Sequence, residues 1–208
     1  MQEEGSMSII TISRQYGAGG KTVGSLVAEK LGYKVFDDEI MHEVARKANV
    51  SKHWVESVDK EAGGKLQRFL SGIISRNLVQ RILATEGGYI DEEIYIDLLY
   101  KVISRIADGG NAIIIGKGGQ YILEGFENTY HVLLIADKLD RVKFIEENYN
   151  LSSSQAVRVV TANEKKRANL FRKFGKEGYD NHVHYDMVIN TSELSIEKAA
   201  NMICKLAG

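Results

Sequence analysis

A glycine-rich stretch near the start of the chain carries the residue types best suited to bind phosphate. The sequence QYGAGGKT, residues 15–22, follows an apolar run and precedes apolar residues at helical spacing. Glycines let consecutive backbone N–H groups face an anion, and the N-terminus of the following helix adds positive potential. We call residues 15–20 the glycine loop. The predicted nucleotide-binding residues are Gly17, Ala18, Gly19, Gly20, Lys21 and Thr22.

The pattern of the P-loop, a glycine followed by four residues and then Gly-Lys-Ser/Thr, fits this stretch with one departure. Gly20, Lys21 and Thr22 supply its end, whereas Gln15 occupies the position of its first glycine. In a P-loop the lysine ammonium bridges the β- and γ-phosphates and the hydroxyl ligates Mg²⁺. This interpretation makes Lys21 a catalytic residue, Thr22 a metal ligand, and ATP with Mg²⁺ the cofactors.

A dinucleotide-binding fingerprint is the competing interpretation of the same loop. Gly17 and Gly19 fit its first two glycines, but Thr22 occupies the third. Asp37 stands about 20 residues further on, where a ribose-binding acid belongs. The long helical stretch after Asp37 favours the P-loop, because a dinucleotide-binding half returns to its sheet after an ordinary crossover helix. A purely structural glycine turn is the third possibility.

Short apolar runs alternating with segments of helical periodicity predict an α/β fold with a parallel sheet and helices on both faces. A capping box at Ser152 and Gln155 marks the start of one of these helices. The predicted strands are residues 8–12, 33–36, 112–115, 131–135 and 187–189, and the predicted helices include 21–31, 138–147, 152–174 and 195–206.

Two of the connections between strands are too long for simple crossovers, so they are predicted to be insertions in a single domain spanning residues 1–208. The first, residues 38–109, is helical, and the second, residues 138–184, holds many of the cationic side chains. The remaining core comprises residues 7–37, 110–137 and 185–208.

Cations at intervals of seven residues form a stripe on the helix predicted over residues 152–174. Arg158, Lys165 and Arg172 fall on nearly one face at about 100° per residue. The stripe could close over transferring phosphates, which makes Arg158 a candidate catalytic residue, or it could be a solvated charged face. Asp137, which follows an apolar strand, is either an acidic Mg²⁺ ligand or the N-cap of the next helix.

Composition excludes several classes of protein. A net charge of -1 argues against a basic binder of nucleic acid polymers, and 44% hydrophobic residues are typical of a soluble globular chain. The sequence shows no membrane span, and its single cysteine, Cys204, excludes a disulfide within the chain and fits a cytoplasmic location. The aliphatic run at residues 69–83 suggests a homodimer formed through the first insertion.

Four blocks of sequence, in the same order, resemble the cytidylate kinase-like family, a branch of the P-loop nucleoside monophosphate kinases. They are ISRQYGAGG at residues 12–20, VFDDEI at 35–40, IIIGKGG at 113–119 and YDMVINTS at 185–192. The resemblance spans residues 8 to about 204. One departure is Lys117, since an arginine usually follows the glycine after the third strand in this family.

The resemblance implies a three-layer P-loop NTPase fold with a five-stranded parallel sheet, a helical acceptor-binding insertion and a helical lid. It implies transfer of the γ-phosphoryl group of ATP to a nucleoside monophosphate, a pyrimidine one such as CMP or dCMP. Arg141 and Arg167 resemble the pre-lid and lid arginines, which act in catalysis, and Arg14, Asp37 and Lys117 fall on the acceptor side.

Two other functions stay open at this point. The departures at Gln15 and Lys117 are compatible with a nucleotide-binding regulatory protein that has lost phosphoryl transfer. A P-loop kinase of another small metabolite would share every feature on the ATP side and would differ only in the first insertion.

Overall fold

The computed structural model describes residues 7–37, 92–175 and 180–208, without the side chains of residues 92–95. The chain divides into two compact units, one formed by Met1–Asp37 and Ala107–Gly208 and the other by Asp38–Ile106. Most of the second unit, including residues 69–83 with the predicted dimer contact, lies outside the described residues. The roles predicted for the first insertion therefore stay predictions.

Strands and helices alternate along the described chain, as the hydrophobic pattern predicts. The strands are β1 (Ile9–Arg14), β2 (Lys34–Phe36), β3 (Ala112–Ile115), β4 (Thr129–Ile135) and β5 (Met187–Asn190). The helices are α1 (Gly20–Leu31), α2 (Glu92–Asp108), α3 (Gly119–Ile122), α4 (Lys138–Tyr149), α5 (Ser153–Lys173) and α6 (Ile196–Ala207), with a short 3-10 helix at His182–His184. None of the described helices is both long and apolar enough to cross a membrane.

The five strands form one parallel sheet in the order β2-β3-β1-β4-β5, which confirms the predicted α/β fold. Strand β1 is central, and its two neighbours β3 and β4 follow one another in the sequence on opposite sides of it. The crevice at the carboxyl ends of strands, at such a switch in strand order, is where open α/β sheets bind ligands. The glycine loop directly follows β1 and therefore lies at this edge.

The hydrophobic core lies on the face of the sheet covered by α1 and α6. Ile10 and Ile12 of β1 are fully buried in it, together with Val23 and Val27 of α1 and Ile203 of α6. Because successive side chains of a strand point to opposite faces, Thr11 and Ser13, which alternate with these isoleucines, face the other layer. The end of β1 thus presents a polar side chain to that layer.

Strand β1 extends past residue 12, where the apolar run predicts its end. Ser13 and Arg14 continue the ladder, opposite Leu133 and Leu134 of β4. Ser13 is buried and its hydroxyl is hydrogen-bonded to a side chain of α5, so a polar residue is accommodated inside the sheet. This partner, distant in the sequence, is why the strand end is not visible in the hydrophobic pattern.

Helices α4 and α5 form a pair in the second long connection. Val142 and Ile145 of α4 pack in one buried cluster with Ala156 and Val160 of α5. The predicted cap is present, since the Gln155 side chain accepts a hydrogen bond from the backbone N–H of Ser152 at 2.9 Å. The cap fixes the start of the helix that carries the cationic stripe.

Candidate active site

The glycine loop takes backbone conformations that require glycine at two positions. Gly17 has a φ of 93° and Gly19 a φ of 77°, both in the left-handed region. A Cβ added at Gly17 would lie 2.7 Å from the backbone oxygen of Arg141, and one at Gly19 would lie 2.5 Å from Cδ1 of Ile196. The backbone conformation disfavours other residues at both positions, and at Gly17 the backbone of Arg141 also leaves no space for a side chain.

Gln15, the departure from the P-loop pattern, occupies a position that does not require glycine. Its φ is outside the left-handed region, and its backbone N–H donates to the carbonyl oxygen of Leu134 at 3.0 Å. Its side-chain oxygen accepts a hydrogen bond from the N–H of Ala136 at 3.1 Å. The substitution therefore costs no backbone strain and joins the loop to the end of β4.

Helix α1 begins where an anion site requires a helix N-terminus. Gly19 is its N-cap, and the amides of the first turn point out of the helix end with the positive end of its dipole. The side chains of Lys21 and Thr22 in this turn are exposed. Lys21 Nζ lies 3.2 Å from the carboxylate of Asp37, which follows β2. Loop, lysine, hydroxyl and acid thus meet at one place.

The hydroxyl of Thr191, the residue directly after β5, stabilises the glycine loop. Thr191 Oγ1 lies 3.2 Å from the carbonyl oxygens of both Ala18 and Ile135 and donates its hydrogen to them. Through these contacts Thr191 joins the backbone of the glycine loop at Ala18 to the end of β4 at Ile135.

Arg141 of α4 is the second support. Its side chain is only 7% exposed, and it donates to the carbonyl oxygens of Ala136 at 2.9 Å and Tyr16 at 3.3 Å. It also forms an ion pair with Glu164 of α5. The structure thus places this predicted catalytic arginine against the backbone of the loop, and its contact with phosphate stays a prediction.

Arg167 of α5 lies at the end of β1. Its guanidinium donates to both carboxylate oxygens of Asp180, at 2.5 and 3.1 Å, and to Ser13 Oγ at 3.0 Å. It also lies over the ring of Phe171, 4.8 Å from the centroid. The side chain is 13% exposed, so this predicted catalytic arginine is largely buried next to the loop.

Arg158 lies on the opposite side of α5 from Arg167. The two are nine residues apart, which at about 100° per residue corresponds to about two and a half turns of the helix, so their side chains point in opposite directions. Arg158, Lys165 and Arg172 are all exposed, as the predicted stripe requires. The structure therefore brings Arg141 and Arg167 to the glycine loop and leaves Arg158 on the outer face.

The predicted acceptor residues Arg14 and Lys117 lie at the carboxyl ends of neighbouring strands. The Arg14 side chain covers Gly20 and Gly116, since a Cβ added at Gly20 would lie 2.7 Å from its Cγ and one at Gly116 would clash with its guanidinium. Lys117 has a φ of 56°, between the positive φ values of Gly116 and Gly118. A non-glycine residue in this region is strained, which is typical of functional turns.

Two tyrosines, the buried Tyr121 and the partly buried Tyr185, also lie near this site. Burial raises the pKa of Tyr185 to about 12, and its hydroxyl accepts a hydrogen bond from Gln120 at 3.1 Å. The Tyr185 hydroxyl is also hydrogen-bonded to Ser13. Burial is the main cause that raises the pKa of Tyr121 as well. Both phenols are therefore neutral hydrogen-bonding groups at neutral pH.

Metal ligands are sparse in this region. Within residues 7–37, 92–175 and 180–208, no three side chains of His, Cys, Asp or Glu lie together as a metal cage. Mg²⁺ typically needs only one or two protein ligands beside substrate phosphates and water. The exposed hydroxyl of Thr22 and the carboxylate of Asp37 fit such a partial site. Asp137 is the N-cap residue of α4.

Sequence patterns did not point to several residues of this region. Asp180 lies in a connection with no motif of its own. Ser13 and Thr191 fall within blocks that resemble the family, but nothing in those blocks gives either hydroxyl a role. For Glu164 a signal exists, because Val160, Glu164, Arg167 and Phe171 follow the spacing of one helix face. The apolar members of this face identify it as the buried one.

Comparisons with known proteins agree with this architecture. An uncharacterized protein from Eubacterium ventriosum has 20% sequence identity and a TM-score of 0.67, over 96% of this chain and 98% of that chain. Shikimate kinase from Bacteroides thetaiotaomicron has 14% identity and a TM-score of 0.52, over 97% of this chain and 98% of that chain. At these identities the likeness shows the fold, that of the P-loop kinases. No protein of curated function gives a significant match.

The sequence blocks that meet at this edge of the sheet belong to one family pattern. The model of the cytidylate kinase-like family matches residues 9–193, from the start of β1 past the end of β5. This range contains the glycine loop, Asp37, the turn at Lys117 and both arginines beneath the loop. The chain therefore belongs to the cytidylate kinase-like family.

Proposed function

We propose that this chain transfers the γ-phosphoryl group of ATP to a nucleoside monophosphate, a pyrimidine one such as CMP or dCMP. The observation that carries the proposal is the exposed Lys21 ammonium at the N-terminus of α1, beside the glycine loop and 3.2 Å from Asp37. An exposed cation at an anion-binding helix end suits a nucleotide phosphate. The pyrimidine acceptor is supported by the family.

Phosphoryl transfer asks for positioning and charge neutralisation more than for covalent help from the protein. The amides at the start of α1 bind the ATP phosphates, and the ammonium of Lys21 neutralises charge that develops on the γ-phosphoryl group. Thr22 and Asp37 would hold Mg²⁺, which when bound supplies further neutralisation. The acceptor phosphate is itself a competent nucleophile, so no general base is needed.

The acceptor is proposed to bind beside Arg14, Asp37 and Lys117. Arg14 is the last residue of β1, and Asp37 and Lys117 follow β2 and β3. These strands are neighbours in the sheet, so the three residues share its carboxyl edge with the glycine loop. Two of them are cations that suit the phosphate of a monophosphate. Residues 38–109 are proposed to bind the base and sugar, and residues 138–184 to act as the lid, with Arg158 on its outer face.

Release of ADP from ATP and Mg²⁺, measured with CMP, dCMP, UMP, AMP, GMP or no acceptor, tests the proposal. We expect release that depends on a pyrimidine monophosphate. Absence of acceptor-dependent release, with ATP binding retained in calorimetry, would contradict it. That outcome would favour the nucleotide-binding regulator or a kinase of another small metabolite.

A further inference from the structure

One carboxylate is joined to both sides of the glycine loop. Asp180 accepts two hydrogen bonds from Arg167, and its Oδ2 lies 3.5 Å from Nε2 of Gln15. Arg167 in turn donates to Ser13 Oγ, one residue before the end of β1. Gln15 in turn accepts from the N–H of Ala136, directly after β4. Asp180 therefore connects the ends of the two strands that lie below the loop.

The geometry of this connection is that of a strong interaction. Bidentate pairs between arginine and a carboxylate are directional, and they are stronger when partly removed from water. The Arg167 side chain is 13% exposed and that of Asp180 is 29% exposed. Phe171 supports the guanidinium from one side, so few other orientations are open to Arg167. The carboxylate fixes the direction of the guanidinium, and the ring limits its movement.

The Gln15 side chain links Asp180 to the glycine loop. The glycine of a standard P-loop has no side chain and could not form this link. Its side chain bonds to Ala136 through the oxygen and approaches Asp180 through the nitrogen. Gln15 is the first residue of the loop, and its backbone carbonyl oxygen accepts a hydrogen bond from the amide of Ala18 at 3.0 Å. Asp180 is thereby linked through Gln15 to the backbone of the glycine loop.

We infer that Asp180 is a positioning residue that fixes Arg167 and Gln15 beneath the glycine loop and so sets the affinity for ATP. The inference rests on the nucleotide binding part of the proposed function and does not require transfer to occur. Asp180 acts through its two partners.

Calorimetric titration of ATP with Mg²⁺ into the wild type, Asp180→Asn, Arg167→Lys and the double variant tests the inference. The asparagine keeps the shape of the side chain and removes its charge. We expect each single change to raise the Kd for ATP about 10-fold, and the double variant to be little weaker than either. Asp180→Glu, which restores the charge, should recover part of the affinity. Asp140→Asn, which removes an exposed carboxylate of α4, is the matched control and should leave the Kd unchanged.

A role in stability alone would give a different pattern. Melting temperatures would fall, but at a temperature where all variants are folded the Kd of Asp180→Asn would equal that of the wild type. That result, or additive losses in the double variant, would overturn the inference. Wild-type protein that binds ATP without transferring phosphate would contradict the proposed transfer and leave this test intact. Wild-type protein that does not bind ATP would overturn both.

Discussion

The four cations predicted to act in phosphate chemistry form two groups that differ in exposure. Lys21 is 61% exposed, and Arg158 is exposed on the outer face of α5. Arg141 and Arg167 are 7% and 13% exposed, and each forms an ion pair with a carboxylate of the second long connection. The sequence assigns all four to phosphate chemistry, but their surroundings differ.

The difference teaches that a cation near a phosphate site can act on the ligand or on the loop that holds the ligand. An exposed ammonium can form new contacts with an anion at little cost. A buried guanidinium that already donates to a carboxylate and to backbone carbonyls stabilises the loop. Removing it leaves those acceptors without a donor, which is costly for acceptors that are buried.

The largest expected effect is on stability, from Arg141→Ala. This change removes the ion pair with Glu164 and the hydrogen bonds to Tyr16 and Ala136. We expect the free energy of unfolding to fall by about 3 kcal/mol, the lower part of the range for broken buried pairs, because Glu164 is itself partly exposed. Denaturant unfolding measures it, with Arg158→Ala as the exposed arginine for comparison. Equal stability of the two variants would contradict the proposed difference between the exposed cations and the buried arginines.

The next effect is on turnover, from Lys21→Ala. Loss of a cation that stabilises charge in the transition state should lower kcat by a factor of about 10² or more, with little change in melting temperature. Steady-state kinetics and thermal unfolding measure the two quantities. Lys30→Ala, an exposed lysine in the last turn of the same helix, serves as the control. Unchanged kcat in Lys21→Ala would contradict the role of the exposed group.

Tyr185→Phe tests the surroundings of Arg167 through the dependence of stability on pH. The pKa of Tyr185 is raised from 10.0 to about 12, so between these values the unfolded chain has lost a proton that the native protein keeps. The stability contributed by the partly buried neutral phenol is thus present below pH 10 and is lost as the pH rises toward 12, by up to about 1.4 kcal/mol per pH unit. Denaturant unfolding from pH 8 to 11 should show a steeper loss in the wild type than in Tyr185→Phe. Parallel curves would show that the phenol is not held neutral.

The smallest expected effect comes from Arg158→Ala. We expect stability to stay within about 0.5 kcal/mol of the wild type, as for most exposed substitutions. If the stripe closes over the phosphates, kcat should fall about 10-fold, because a charge contact to the transition state is lost. Kinetics with Lys138→Ala, an exposed lysine at the start of α4, as the control measure this. Unchanged kcat would identify the stripe as a solvated face.

The glycine loop could be predicted from the sequence because its whole geometry is local. Gly17, Gly19 and the helix start at Gly20 are within a few residues, and backbone rules connect them to phosphate binding without knowledge of the fold. The five parallel strands were predictable for the same reason, since each is a short apolar run with a turn signal beside it.

The surroundings of the arginines could not be predicted, because they depend on contacts between distant parts of the chain. Arg167 meets Ser13, which is 154 residues away in the sequence, and no pattern marks Asp180 as its partner. The opposite orientations of Arg158 and Arg167 follow from helical spacing once the buried face is known. Val160 and Phe171 identify that face in the sequence, so this part was accessible.

Transfer of the labelled γ-phosphoryl group from ATP to CMP, followed by identification of the products, tests the proposed phosphoryl transfer itself. We predict that label appears in CDP, in an amount equal to the ADP formed, and that Lys21→Ala lowers this transfer about 10²-fold or more. Label that remains in ATP, or appears only as inorganic phosphate, with every monophosphate supplied would contradict it.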